Sequence, residues 1–177
     1  MTMAKYLFAT FDVTTQVFYR SPLSFGIVNL KPLLPGHVLI CPKRVVPRLA
    51  DLNTEEVSDL FQSVQHVGKV LEQVYKAQAL TVSLQDGAVA GQSVPHVHVH
   101  IMPRHPTDYN GDNDQIYPLL EQSEANLQGH LAQSQVPQVN GKTEAKAREG
   151  RWACDEDRKP RTMGEMEREA KWLASFF

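Results

Sequence analysis

The stretch Pro95-His96-Val97-His98-Val99-His100-Ile101 places three of the chain's seven histidines at alternate positions. In an extended strand successive side chains point to opposite faces, so His96, His98 and His100 share one face while Val97, Val99 and Ile101 share the other. Three imidazoles on a single face have no packing rationale, and an imidazole can titrate near neutrality. One face of this strand reads as chemistry and the other as core.

The chain has 177 residues, enough for one domain of ordinary size with a substantial core. Its formal net charge of -2 offers no polybasic surface for bulk nucleic acid or an anionic membrane. A small, locally charged ligand fits better. The two cysteines are Cys41 and Cys154, and the apolar context of Cys41 reads as a buried strand thiol in a reducing compartment. No segment resembles a signal peptide or approaches a membrane span. A soluble, cytoplasmic protein is expected, with a nuclear location also open.

Gln16–Arg20 and Ser24–Asn29 are read as two strands. Pro35-Gly36 has the chemistry of a type II turn that delivers His37 to a third strand, Val38–Cys41. Asn53 and Glu56 form a capping box, and Val57, Leu60, Phe61, Val64, Val67, Leu71 and Val74 recur at helical spacing. A long amphipathic helix from Thr54 to about Lys76 is predicted, its stripe belonging to the core. Leu80–Leu84 and Val97–Met102 are read as the fourth and fifth strands. Residues 121–160 are rich in Gln, Ser, Glu and Lys and are expected to form a flexible polar insert between a domain at 1–120 and a docking helix at 161–177. Thr162 and Glu165 would cap that last helix.

A His-x-His pair can supply two zinc ligands, but His96 and His100 begin about 13 Å apart on a regular strand, too far to converge on one ion. A two-histidine site would need Asp86 or His37 as its third ligand, and no metal held by the protein is expected. Nucleophilic catalysis is the other reading, since a neutral imidazole attacks at pH 7 without further activation. Flanking histidines and the Gly91-Gln92-Ser93 loop can supply hydrogen bonds to the oxygens of a polyphosphate.

His96-Val97-His98-Val99-His100 resembles the His-x-His-x-His signature of the histidine triad superfamily. Asn29, Pro35-Gly36-His37-Val38-Leu39, Gln85-Asp86-Gly87, Ala90-Gly91-Gln92-Ser93-Val94 and Pro103-Arg104 resemble its fragile histidine triad branch, the dinucleoside polyphosphate hydrolases. The resemblance implies an α+β fold: a five-stranded antiparallel sheet with one long helix and a C-terminal helix, the sheet continued across a homodimer. It makes His98 the nucleophile that forms a nucleotidyl-histidine, with His96, His100 and His37 as its catalytic companions. It places Asn29 on the ribose, and Gln85, Gly91, Gln92, Ser93, Val94 and His100 around the substrate. A divalent cation, Mg or Mn, would arrive with the substrate. Two alternatives remain open at this level: a dinucleotide-binding sensor with slow turnover, and a nucleoside phosphoramidase of the same superfamily.

Overall fold

The computed structural model describes residues 5–134 and 158–177. The main sheet has five antiparallel strands in the order β3-β4-β5-β7-β6, where β3 is Val17–Arg20, β4 Ser24–Val28, β5 Val38–Pro42, β6 Ala79–Ser83 and β7 Val99–Arg104. Every residue of β4 and β5 is buried, as their near-continuous apolar text requires of central strands. A separate hairpin, β1 (Leu7–Phe8) with β2 (Phe11–Asp12), lies outside this sheet.

Helix α1 (Thr54–Tyr75) starts at a complete capping box: the Asn53 side chain accepts from the Glu56 amide and the Glu56 carboxylate accepts from the Asn53 amide. Leu60, Val64, Val67 and Leu71 are buried against the sheet. Phe61, read as part of that stripe, is instead 43% exposed, because the apolar arc is narrower than the spacing alone suggested. The helix stops at Lys76, which takes a left-handed conformation.

Helix α3 (Met163–Ala174) is capped by Thr162 and Glu165 as expected, and buries Met166, Ala170 and Leu173. Its lead-in is stapled to the loop after β4: the Arg161 amide donates to the Leu30 carbonyl, and the Arg161 guanidinium donates to the Asn29 carbonyl and pairs with Glu169.

Two expectations need correction. The strand that carries the histidines begins at Val99, so His96 and His98 lie in an extended lead-in. A bend bonds the His96 amide to the Val94 carbonyl, and the Val97 amide is taken by the Val46 carbonyl of a loop, not by a neighbouring strand. The polar stretch after residue 120 is not all insert either. Helix α2 spans Ile116–Ser134 and buries Ile116, Leu120, Leu127 and Leu131. The mean composition of 121–160 obscured this four- and seven-residue stripe. The rest of the expected insert, through residue 157, lies outside the described residues.

Candidate active site

His37 is delivered by the turn before β5. Gly36 has φ +79°, and the His37 amide closes the turn onto the Leu34 carbonyl at 3.1 Å. A side chain at Gly36 would meet the Tyr75 ring at 2.6 Å, so turn geometry and close packing both require glycine. Leu39 and His100 are cross-strand partners, which sets His100 beside the start of β5.

All four histidines of the site are buried, and hydrogen bonds fix their tautomers. The Ala9 amide donates to His96 Nδ1 at 3.0 Å, so the His96 proton sits on Nε2 and is donated to the Pro42 carbonyl at 2.9 Å. The Leu33 amide likewise donates to His37 Nδ1 at 3.1 Å. His37 Nε2–H therefore donates to His100 Nδ1 at 2.9 Å, and the His100 proton must occupy Nε2. His98 is oriented the other way: its Nδ1–H donates to the His96 carbonyl at 2.7 Å, which leaves Nε2 facing Glu124. Phe8 of the hairpin supports this arrangement, its ring centroid 5.6 Å from that of His96 and 5.1 Å from that of His98.

Burial favours the neutral form of His37, His96 and His100. Desolvation drives His96 down to about 4, against the opposing hydrogen bond to Pro42. It also holds His37 well below its ordinary value, with the neighbouring His100 adding to the effect. His100 is lowered by burial too, although Glu124 opposes.

Glu124 is the residue that sequence reasoning missed. It projects from α2 into the site, is 1% exposed, and sets Oε1 3.0 Å from His98 Nε2 and Oε2 3.3 Å from His100 Nε2. The Ser93 amide also points at Oε1, at 3.4 Å. Burial acts to raise its carboxyl pKa, but the adjoining His100 and His98 rings outweigh burial and hold it well below the usual range. A sequence signal existed: Glu124 stands between Leu120 and Leu127 on the buried stripe of α2, where an apolar residue is the default.

The other expected site residues separate into two groups. Gln85 and Gly91 line a cavity of about 530 Å³ beside Glu124, together with Ser83, Val89 and Tyr117. Gly91 has φ +96°, and the Gln85 Oε1 and Ser93 Oγ atoms are buried without a hydrogen-bond partner. Gln92 instead braces its own loop, accepting from the Gly87 amide and donating to the Pro47 carbonyl. Val94 is fully buried core, and the Asn29 side chain accepts from the Lys31 amide beside His37. Asp86, one of the two sequence candidates for a third metal ligand, is turned away onto Arg48 and the Leu49 amide. The trio able to hold a metal among the described residues is His98, His100 and Glu124, whose ligand atoms lie within 4.8 Å of one another.

Comparison with known proteins agrees with this architecture. The chain is 48% identical over 170 residues to the asymmetrical bis(5'-nucleosyl)-tetraphosphatase of Schizosaccharomyces pombe, covering 96% of this chain and 93% of that protein. It is 41% identical over 177 residues to the bifunctional bis(5'-adenosyl)-triphosphatase/adenylylsulfatase FHIT of Arabidopsis thaliana, covering 99% and 86%. The Plasmodium falciparum diadenosine triphosphate hydrolase structure superposes with a TM-score of 0.67 at 24% identity, covering 99% of this chain and 86% of that one, which supports the fold. The HIT domain profile matches residues 10–107, more than half of the sequence, and the chain belongs to the HIT domain family.

Proposed function

We propose that the protein is a hydrolase of dinucleoside polyphosphates, such as diadenosine triphosphate or tetraphosphate, working through a nucleotidyl-histidine intermediate. The observation that carries this reading is the convergence of His98 Nε2, His100 Nε2–H and the Ser93 amide on one anion position. The activity is that named for the relatives from Schizosaccharomyces pombe and Arabidopsis thaliana.

His98 Nε2 attacks the α-phosphorus in line, and the P–O bond to the leaving ADP or ATP breaks as the P–N bond forms. Attack places positive charge on the imidazole, which the Nδ1–H bond to the His96 carbonyl stabilises. His100 Nε2–H, held in its tautomer by His37, donates to a phosphoryl oxygen. Water then attacks the same phosphorus, releases AMP and regenerates His98. Asn29 serves the ribose, Gln85, Gly91 and Ser93 line the polyphosphate path, and Gln92 and Val94 hold the loop that presents them. A Mg or Mn ion enters with the substrate oxygens. The exposed edge strand β6 is where a second copy would extend the sheet. Among the described residues no helix is long and apolar enough to cross a membrane, and cytoplasmic residence is part of the proposal.

The test is chromatographic product analysis with each dinucleotide. AMP with ADP from the triphosphate, or AMP with ATP from the tetraphosphate, is expected from the wild type. His98→Asn should bind substrate and lose nearly all turnover; substantial residual hydrolysis would move the nucleophile to another residue.

A further inference from the structure

The carboxylate of Glu124 stands where the chemistry needs a phosphoryl group. Its Oε1 is 3.0 Å from His98 Nε2, the ring nitrogen left uncommitted by the His98 Nδ1–H bond to the His96 carbonyl. Two lone pairs cannot face each other at that distance, so one proton is shared between His98 Nε2 and Glu124. The lone pair needed for attack on phosphorus is thereby occupied.

The second oxygen, Oε2, lies 3.3 Å from His100 Nε2, with both atoms buried and neither in a well-formed hydrogen bond. A planar carboxylate thus sits in a donor set that it does not fully satisfy. A tetrahedral phosphoryl group presents its oxygens out of one plane and farther apart than the two of a carboxylate, and so can meet donors that a planar carboxylate does not. Helix α2 holds Glu124 in place through Leu127 and Leu131 in the main core and through Ile116 and Leu120 in a smaller cluster with Leu33, Leu34, Met102 and Tyr109.

We propose that Glu124 is a tethered, reversible competitor of the substrate: α2 docks its carboxylate in the phosphoryl site and must withdraw before a polyphosphate can bind. This rests on the phosphoryl-transfer reading of the site. The tethered carboxylate lowers the binding-competent fraction, and apparent affinity for substrate falls by the same fraction. Glu124 touches no reacting atom in the open enzyme, so kcat is unaffected.

The experiment compares steady-state kinetics of the wild type with Glu124→Ala, using diadenosine triphosphate and tetraphosphate. KM is expected to fall about tenfold or more in the variant, corresponding to a dominant docked state, while kcat stays within about twofold. AMP, used as a product inhibitor, should bind tighter by the same factor. Leu127→Ser, which loosens α2 while keeping the carboxylate, should move KM in the same direction and guards against a folding defect in the first variant. Unchanged KM, or a fall in kcat, overturns the proposal, the latter by making Glu124 part of the catalytic machinery. Activation of the wild type by EDTA to the level of Glu124→Ala also overturns it, by making the trio a metal clamp. Carbethoxylation of His98 by diethyl pyrocarbonate, followed by peptide mapping, reads access to the same lone pair without nucleotide or turnover. It should be much faster in Glu124→Ala, so a failure of the substrate assignment remains distinguishable from a failure of the plug.

Discussion

Burying neutral histidines makes the fold sensitive to acid in a defined window. His96 is held down to about 4 by desolvation, from an ordinary 6.5. Between those values the unfolded chain binds a proton that the folded chain does not, so stability rises with pH. The contribution is therefore fully present above pH 6.5 and is lost as pH falls toward 4. A difference of about 2.5 pH units corresponds to about 3 kcal/mol, a large share of a typical folding free energy. The local slope near pH 5 is about 1 kcal/mol per pH unit for this residue alone. His37 and His100 are lowered for the same reason and act in the same direction. Glu124 works in a different window: its carboxyl is lowered, so its contribution is present above the ordinary carboxylate range and disappears only below pH about 4.5. The assay is urea unfolding at half-unit steps from pH 7.5 to 4, comparing wild type with His96→Gln. Glutamine can accept from the Ala9 amide and donate to the Pro42 carbonyl, as the neutral ring does, but it does not titrate. Its curve should be flatter by about 1 kcal/mol per pH unit in this window. Parallel curves for the two proteins would refute the assignment of this acid sensitivity to His96.

Gly36→Ala is expected to cost about 2 to 4 kcal/mol, combining a left-handed backbone strain with the 2.6 Å approach to Tyr75, and to lower kcat by displacing His37; equilibrium unfolding and kinetics on one preparation check both. Asn53→Ala removes the cap from the long helix and should lower stability by about 1 kcal/mol, with KM and kcat unchanged because Asn53 does not line the cavity; a kinetic effect would contradict that separation.

The strands, the long helix and the terminal helix were legible because their signals are local. Alternation, the Asn53–Glu56 and Thr162–Glu165 boxes, and the Pro35-Gly36 turn each specify their own geometry over a few residues. The histidine cluster was legible as well, since the motif itself places three imidazoles within five positions. Glu124 was not: it acts 24 residues after His100 in the chain, and its contact depends on how α2 docks. Composition averaged over 121–160 concealed a stripe carried by only a few leucines. The hairpin's role was similarly hidden, because the Ala9 amide reaches His96 across 87 positions and no side chain announces it.

Strand alternation treats the three histidines as equivalent, and backbone hydrogen bonding removes that equivalence. His96 has both ring nitrogens committed, accepting from the Ala9 amide and donating to the Pro42 carbonyl. His37 is committed in the same manner, between the Leu33 amide and His100. His100 accepts at Nδ1 and turns an N–H toward the Glu124 carboxylate, so it can donate to an anion but cannot attack phosphorus. For His98, donation from Nδ1 to the His96 carbonyl leaves Nε2 directed at the same carboxylate position. Among the four site histidines, His98 alone combines a nucleophilic nitrogen with access to the anion position. The bend before β7 is the structural cause: it lifts His98 out of the regular ladder and brings the His96 carbonyl within 2.7 Å of its Nδ1. A regular strand through residue 96 would keep that carbonyl in a ladder bond and leave the His98 tautomer free, so the departure from the expected strand is what distinguishes nucleophile from donor.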